Sequence, residues 1–312
     1  MLFRSFMRFR RVSYPFSALL SLIAVALFVF KGMNFGIDFA GGTVIELRAK
    51  NGSAEVGVLR SLGEGLKLGD IEVQGFGNPA DATLRFGLQP GGDAAQQAAV
   101  ERVREKLGND YDLRRVEVVG PRVSNELVQS GTLGVVLSIL AVLSYLWFRF
   151  EWQFAVGAVI ATMHDLLLTV GFFSITQLEF NTTSIAAILT IVGYSLNETV
   201  VVLDRIRENM RKYKKLGTAQ MIDMSINAVL PRTIMTATTV MLALIALVAF
   251  GGQVIRSFSL AMIWGIFVAT YSSIFICSPM LIYLGLRNEE GDKAAASRSE
   301  EHTSELQSLA YL

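Results

Sequence analysis

The chain is 312 residues long, 52% hydrophobic and only 18% charged, with a formal net charge of +1. Soluble domains carry about a quarter charged residues, and a near-neutral balance offers no electrostatic footprint for nucleic acid. The one cysteine, Cys277, excludes an intramolecular disulfide and a cysteine-based metal cluster; set in an apolar run, in a chain with two histidines, it reads as a packing residue.

The first element is an apolar span over Phe16–Phe30, extended through Val12 on one side and Phe35 on the other. Its basic start and apolar middle are those of a signal peptide. Lys31, Asn34 and Phe35 follow, however, rather than a small-residue cleavage site, so it is read as a retained membrane helix. Residues 1–35 therefore hold the N-terminus and the first span.

Residues 36–127 are too long and too polar for a simple loop. The pattern predicts a strand (Gly42–Ala49), a helix (Ser53–Leu68), strands Ile71–Phe76 and Ala82–Leu88, a helix (Asp93–Leu107) and a last strand (Leu113–Val119). Gly91-Gly92 breaks the chain before the second helix. The order βαββαβ is that of the ferredoxin-like split βαβ unit. The segment has no histidine, no cysteine and no suggestive pair of carboxylates. Binding through an exposed sheet edge or face is the expected activity, although a fold does not establish one.

Five further apolar stretches fill residues 128–286: Leu133–Phe148, Phe154–Thr176, Ser184–Leu203, Ile234–Phe250 and Phe258–Leu284. With the first they make six spans near the about 20 residues a membrane helix needs. The fold class is thus a polytopic α-helical membrane protein, with a small α+β domain between helices 1 and 2. Basic residues set its orientation. Arg4, Arg8, Arg10 and Arg11 precede the first span, and Arg205, Arg207, Arg211, Lys212, Lys214, Lys215 and Arg232 stand between the fourth and fifth. Gln177–Thr183 has none, and Gly251–Ser257 has only Arg256. Positive charge marks the inner side, so both termini are expected in the cytoplasm and residues 36–127 in the periplasm. The run Arg205–Lys215 is expected to lie as an amphipathic helix on the inner membrane surface.

From about Asn288 the chain is polar and without hydrophobic period, a pattern that predicts disorder over residues 287–312. Arg298–Ser308 also reads like a translated sequencing adapter, so the end is expected to be an assembly artefact. No function is assigned to His302.

Ionisable residues inside spans are functional candidates by default. There are three: Asp165 in the third span, beside His164; Glu198 in the fourth; and Arg232 at the mouth of the fifth, where Pro231 suits a first helical turn. Tyr194, Asn197 and Glu198 share one helical face, and Arg232 and Thr236 share another, so a Glu198–Arg232 pair is geometrically open. A carboxylate in low dielectric resists ionisation unless a positive partner holds it charged. One that repeatedly takes up and releases a proton is the minimum equipment for using a proton gradient. The alternative, a static salt bridge between two helices, stays open on spacing alone. Asp165 either hydrogen-bonds to neighbouring helices or carries a proton. His164 points about 100° away on the helix, so the two are not expected to act as a dyad.

Several motifs resemble one family. Phe35-Gly36-Ile37-Asp38-Phe39-Ala40-Gly41-Gly42 is similar to the signature after the first span of SecD and SecF proteins, and Val119-Gly120-Pro121-Arg122-Val123 to the lead into their second. Gly193-Tyr194-Ser195-Leu196-Asn197-Glu198-Thr199-Val200-Val201-Val202, running on into Leu203-Asp204-Arg205-Ile206-Arg207-Glu208-Asn209, resembles the fourth-span signature, and Pro231-Arg232-Thr233 resembles the opening of the fifth. The resemblance covers about Met1 to Leu286, and the single small outer domain favours the SecF branch over the larger SecD.

The resemblance implies a complex with SecD in the bacterial inner membrane, related to proton-driven exporters of the resistance-nodulation-division superfamily. It implies use of the proton motive force in late steps of preprotein export beside the SecYEG channel, with YajC and SecA as neighbours. No cofactor, metal or covalent chemistry is implied. The family's acidic residue and arginine for proton transfer map onto Glu198 and Arg232, with Glu198 standing where the family usually has Asp. At the first-span exit, Asp38, Phe39, Gly41 and Gly42 form the family motif, which either turns the chain into the first strand or transmits helix motion to the outer domain. A proton-driven small-molecule or lipid exporter half is the alternative function, and a passive scaffold the third.

Overall fold

The computed structural model describes residues 5–75 and 77–286, apart from the side chains of Gln253 and Val254. Arg4, Phe76 and the tail from Arg287, with its adapter-like run and His302, lie outside the described residues.

Among the described residues, six helices are long and apolar enough to cross a membrane. The first, α1 (Arg10–Lys31), follows a short 3-10 turn at Met7–Phe9. A single helical turn, α2 (Ile37–Ala40), leads into the α/β unit. This comprises β1 (Gly42–Ala49), α3 (Val56–Gly65), β2 (Ile71–Gly75), β3 (Asp81–Phe86), α4 (Gly92–Leu107) and β4 (Tyr111–Val119). The strands form one antiparallel sheet in the order β2-β3-β1-β4. Helix α3 is shorter than the expected Ser53–Leu68. Gly63 and Gly65 are poor helix formers, and Lys67 adopts a left-handed backbone with φ 51°.

Period-two alternation sends Ile45, Leu47, Leu84 and Phe86 under the two helices, where Leu59 and Val103 complete the core. The opposite sheet face is charged. Arg48 donates to both oxygens of Asp81 at 2.6 and 2.7 Å, and the flanking pairs are Arg85–Glu72 and Arg115–Glu46.

The membrane part continues with α5 (Pro121–Arg149), α6 (Trp152–Thr176), α7 (Thr182–Lys212), α8 (Thr218–Phe250) and α9 (Gln253–Ser272). A π turn at Ser273–Cys277 joins α9 to α10 (Ser278–Tyr283) within the sixth span. Helices α6 and α9 are the most enclosed, whereas α5 and α8 turn Leu133, Leu137, Ile234, Met235 and Leu242 outward. Small residues let the inner helices approach closely. A Cβ on Gly171 would lie 2.5 Å from Ala24 of α1, and one on Gly157 would lie 3.3 Å from the Cys277 carbonyl.

Two expectations change here. The fifth-span helix does not open at Pro231; it begins thirteen residues earlier at Thr218, with Pro231 inside it. The basic run is not a separate surface helix. As far as Lys212 it continues α7, whose 31 residues make about 46 Å, well beyond the about 30 Å hydrocarbon core, and Lys214 and Lys215 lie in the turn that follows. What lies against that extension is the first part of α8. Met221, Ile222 and Ile226 are fully buried with Leu203 and Ile206 of α7.

Candidate functional site

Polar clusters interrupt the apolar bundle. The first is Glu198, buried on α7 at 3% exposure. Thr233 of α8 donates its hydroxyl to Glu198 Oε2 at 2.8 Å, and the Thr236 hydroxyl stands 3.1 Å from Oε1. The Thr236 hydroxyl also lies within 3.1 Å of the Arg232 carbonyl and 3.0 Å of the Thr233 carbonyl. It has one proton for three acceptors.

The expected Glu198–Arg232 pair is absent: no ion pair joins them among the described residues, and Arg232 is exposed. Helical geometry gives the reason. Thr233 and Thr236, three residues apart, turn one face toward α7, and Arg232 lies about 100° round from Thr233. Tyr194 does join the cluster, facing Thr236 and Thr270. Asn197, expected on the same polar face, is exposed instead.

The second cluster surrounds Asp165, 1% exposed on α6. Its Oδ2 accepts from Ser195 of α7 at 2.5 Å and from Ser272 of α9 at 2.8 Å. Its Oδ1 lies 3.2 Å from His164 Nδ1. The two side chains, both buried, thus meet despite the 100° offset between neighbouring positions on the helix. His164 also lies beside the Tyr271 ring, 6.3 Å between centroids.

The two carboxylates share a chemistry. An isolated buried carboxylate ion is costly, and neither cluster supplies a lysine or arginine. Serine and threonine hydroxyls both donate and accept. The same partners thus satisfy a carboxylate, by accepting from it when it holds a proton and donating to it when it does not. Ser195, Ser272 and Thr233 were missed from sequence, and Ser195 was the most legible of them. Its place three residues before Glu198 on α7, on the buried face, was the available signal.

The third cluster joins the α/β unit to the bundle. Asp38 Oδ2 accepts from the backbone N–H of Thr182 at 2.9 Å and from its hydroxyl at 2.7 Å. Asn181 and Ser184 form a capping box at the same helix start, so α7 opens on two acceptors where its dipole favours negative charge. Phe39 packs against Phe35 and Phe180. Gly41 and Gly42 have φ of 71° and 126°, and a Cβ on Gly42 would lie 2.5 Å from the Phe86 carbonyl. Backbone geometry alone thus demands glycine there.

From β3, Arg85 donates to the Phe35 carbonyl and to Asn34 Oδ1. Glu179, in the loop between α6 and α7, is pressed close to Gly36. Burial pushes its carboxyl above the usual range, opposed by Arg85 and reinforced by Asp38, Glu72 and Glu117.

At the opposite end of the bundle Asp223 of α8 holds the start of the chain. Its Oδ1 accepts from the N–H groups of Phe6 at 2.8 Å and Met7 at 2.9 Å, and its Oδ2 accepts from Ser5 at 3.0 Å. Close by, Arg149 bridges both oxygens of Asp204 at 3.0 and 3.1 Å. No group of histidine, cysteine and carboxylates suited to a metal ion occurs among the described residues.

Known proteins sort this arrangement. Residues 99–287 match the family described as protein export membrane protein SecD/SecF, C-terminal, and residues 26–52 match the SecD/SecF GG motif. The protein translocase subunit SecF of Rickettsia bellii is 47% identical over 283 residues, covering 88% of this chain and 91% of its own. The protein translocase subunit SecDF of Brucella abortus is 45% identical over 295 residues, covering 95% of this chain. This chain spans only 39% of that longer protein. The crystal structure of SecDF from Thermus thermophilus, a translocon-associated membrane protein, superposes with a TM-score of 0.79 at 35% identity, over 91% of this chain and 39% of that one. A second SecDF structure, in a super-membrane-facing form, gives a TM-score of 0.66. Matched by a family over more than half its length, and by a relative of similar length at nearly half identity, this multi-pass membrane protein belongs to the SecD/SecF family of protein-export membrane proteins.

Proposed function

We propose that the chain is a SecF-type accessory subunit of the Sec translocase, which assembles with SecD and uses the proton motive force to promote late steps of preprotein export. The observation that carries this reading is Glu198, a buried carboxylate on α7 whose partners are the hydroxyls of Thr233 and Thr236 on α8. Such a group takes and gives up a proton without stranding a buried polar partner. Arg232, next to Thr233 but turned outward, is the cation that a rearranged state or a partner helix brings into play.

In this reading Asp165 is a second proton-carrying site, with Asn197 on the face offered to SecD. The chain works in the bacterial inner membrane with both termini cytoplasmic, beside SecYEG, YajC and SecA. It catalyses no covalent chemistry. Residues 36–127 form the periplasmic domain, residues 1–35 and 128–286 the membrane part. We assign the periplasmic domain to the ferredoxin-like split βαβ type, an assignment supported by its element order and by the sheet order β2-β3-β1-β4. An exporter half for small molecules is disfavoured by this one small domain.

The test is gradient-dependent completion of preprotein export in inverted vesicles containing SecD, for wild type, Glu198→Asp, Glu198→Gln and Arg232→Met. Retained activity in Asp, with loss in Gln and Met and the complex still assembled, supports the reading. A Gln variant that works as well as wild type removes Glu198 from the proton path.

A further inference from the structure

The sixth span is broken by the π turn at Ser273–Cys277, where the Ser278 N–H reaches back to the Ser273 carbonyl. Single π turns inside α-helices are rare and gather at functional sites. This one is held at both ends by hydroxyls. On one side Ser272, the residue immediately before it, donates to Asp165 Oδ2 at 2.8 Å. On the other, two of its carbonyls accept from α1: Phe275 from the Ser13 hydroxyl at 3.1 Å and Ile276 from the Tyr14 hydroxyl at 2.9 Å. One turn of α1 further on, Ser17 hydrogen-bonds the Tyr271 hydroxyl at 2.9 Å, and the Tyr271 ring lies beside His164. Hydrogen bonds thus flank the π turn, to Asp165 at its start and from α1 at its end, with only the backbone of the turn between them. Helix α1 leads on to Asn34 and Phe35, which Arg85 ties to the sheet.

We propose that the π turn is the element through which the protonation of Asp165 reaches α1, with Ser272 as the positioning residue at one end and Ser13 and Tyr14 as the receivers at the other. A charged Asp165 draws in the Ser272 hydroxyl as a donor. A protonated one is the weaker acceptor, so the Ser272 hydroxyl, which also stands 3.1 Å from the Ala269 carbonyl, turns to that carbonyl and the hold relaxes. Ser272 is the last residue before the widened turn, so a change in its hold shifts the carbonyls that follow, and with them the bonds to Ser13 and Tyr14. A π turn can make this shift because one extra residue per turn leaves it two hydrogen-bond registers, i→i−5 and i→i−4.

The titratable groups facing Asp165 are His164 on its own helix and the Cys277 thiol on the π turn. Helix α7 brings Ser195, with Glu198 three residues along, and α1 brings Tyr14, which faces Cys277 and Tyr283. The use of this link in transport rests on the proton-coupling reading above. The link itself does not, and its test is separate.

The experiment is infrared difference spectroscopy of the full chain in lipid nanodiscs, titrated from alkaline to acid pH. Asp165→Asn identifies the Asp165 carboxyl band, and Tyr14→Phe identifies the Tyr14 ring band. The expected result is that both bands move together in wild type. In Ser272→Ala the carboxyl band still titrates while the Tyr14 shift is lost, and Ser272→Thr restores it. A Tyr14 band that moves unchanged in Asp165→Asn or Ser272→Ala overturns the proposal, as does an Asp165 band that never changes across the titration. Asp165→Asn keeps the side-chain shape and decides the matter alone should Ser272→Ala fail to fold. Absence of the coupling in wild type, with export still gradient-dependent, counts against this inference only. An intact coupling with export indifferent to the gradient counts against the proton-coupling reading only.

Discussion

Thr233 donates to Glu198 across 2.8 Å, while Arg232, its neighbour in sequence, faces away from that carboxylate. Backbone proximity thus brings a cation within one residue of the buried acid without neutralising it. Removing the Thr233 hydroxyl strips Glu198 of its uncontested partner, since the Thr236 proton is shared among three acceptors. On the proposed reading, in which Glu198 carries the proton, Thr233→Val, which matches the shape and lacks the hydroxyl, should slow gradient-dependent export by about tenfold. That corresponds to about 1.4 kcal/mol, the order of a hydrogen bond to a charged group. Thr233→Ser should retain most of the rate. Export measured in vesicles with matched amounts of complex checks both, and equal rates in Val and wild type would show that the hydroxyl is dispensable.

Asp38 ties the chain leaving the first span to the start of α7, the helix that carries Glu198. Losing a capping acceptor costs about 1 kcal/mol, and losing the favourable charge at a helix N-terminus costs a further ~0.3–1 kcal/mol. Asp38→Ala should therefore lower the unfolding midpoint and speed hydrogen exchange at Asn181–Ser184. Asp38→Asn, which keeps an acceptor but no charge, should fall between Ala and wild type. Unchanged exchange in Ala would leave the capping box of Asn181 and Ser184 as sufficient by itself.

What sequence made legible follows from the range of the forces involved. Hydropathy and period-two alternation are local, so the six spans and the βαββαβ order were readable. The start of α8 was not. Thr218–Leu230 mixes buried Met221, Ile222 and Ile226 with Asp223 and Asn227, a half-polar face that a hydropathy scan passes over, and Pro231 then imitated a helix start. Intramembrane charge drew attention to Asp165 and Glu198, and helical spacing to Tyr194 and Thr236, but not to the other partners. Ser195, Ser272 and Thr233 are ordinary in composition, and only the meeting of α6, α7, α8 and α9 gives them meaning. The π turn, likewise, has no local signature in Ser273–Cys277.

The hold of Asp223 on the first residues is another contact set by tertiary structure, spanning 216 to 218 positions. Two backbone N–H groups and one hydroxyl depend on one carboxylate, and Met7, buried at 4% exposure, packs into the bundle behind them. Asp223→Ala should release this segment. Limited trypsin digestion in detergent should then cut at Arg8 and Arg10 at least about tenfold faster, the effect of losing one charge-assisted hydrogen bond. Asp223→Asn, which keeps an acceptor oxygen, should be cut at an intermediate rate. Identical digestion of all three would mean that burial of Met7 is what fixes the N-terminus.

Glu179 makes the junction between sheet and bundle sensitive to pH, in a direction opposite to the charged pair on the sheet. Burial raises the Glu179 carboxyl in the folded protein, with Asp38, Glu72 and Glu117 adding to it against Arg85. A raised folded value means that the folded state binds the proton more tightly than the unfolded one. The stabilisation is then complete below the ordinary glutamate value of about 4.3, and is lost as pH rises through the folded value. Asp81 behaves in reverse. Arg48 holds its carboxyl below the usual range, so its contribution is present above the ordinary aspartate value of about 3.9 and disappears as pH falls through the folded one. Protection factors for the amides of Asn34–Gly36 and Gln177–Phe180 should therefore rise on acidification just above pH 4.3. Protection across the β1–β3 ladder should stay level in that window and fall only at lower pH. Glu179→Gln, neutral at every pH, should abolish the first trend and leave the second intact. Persistence of the junction's pH response in that variant would remove Glu179 as its source.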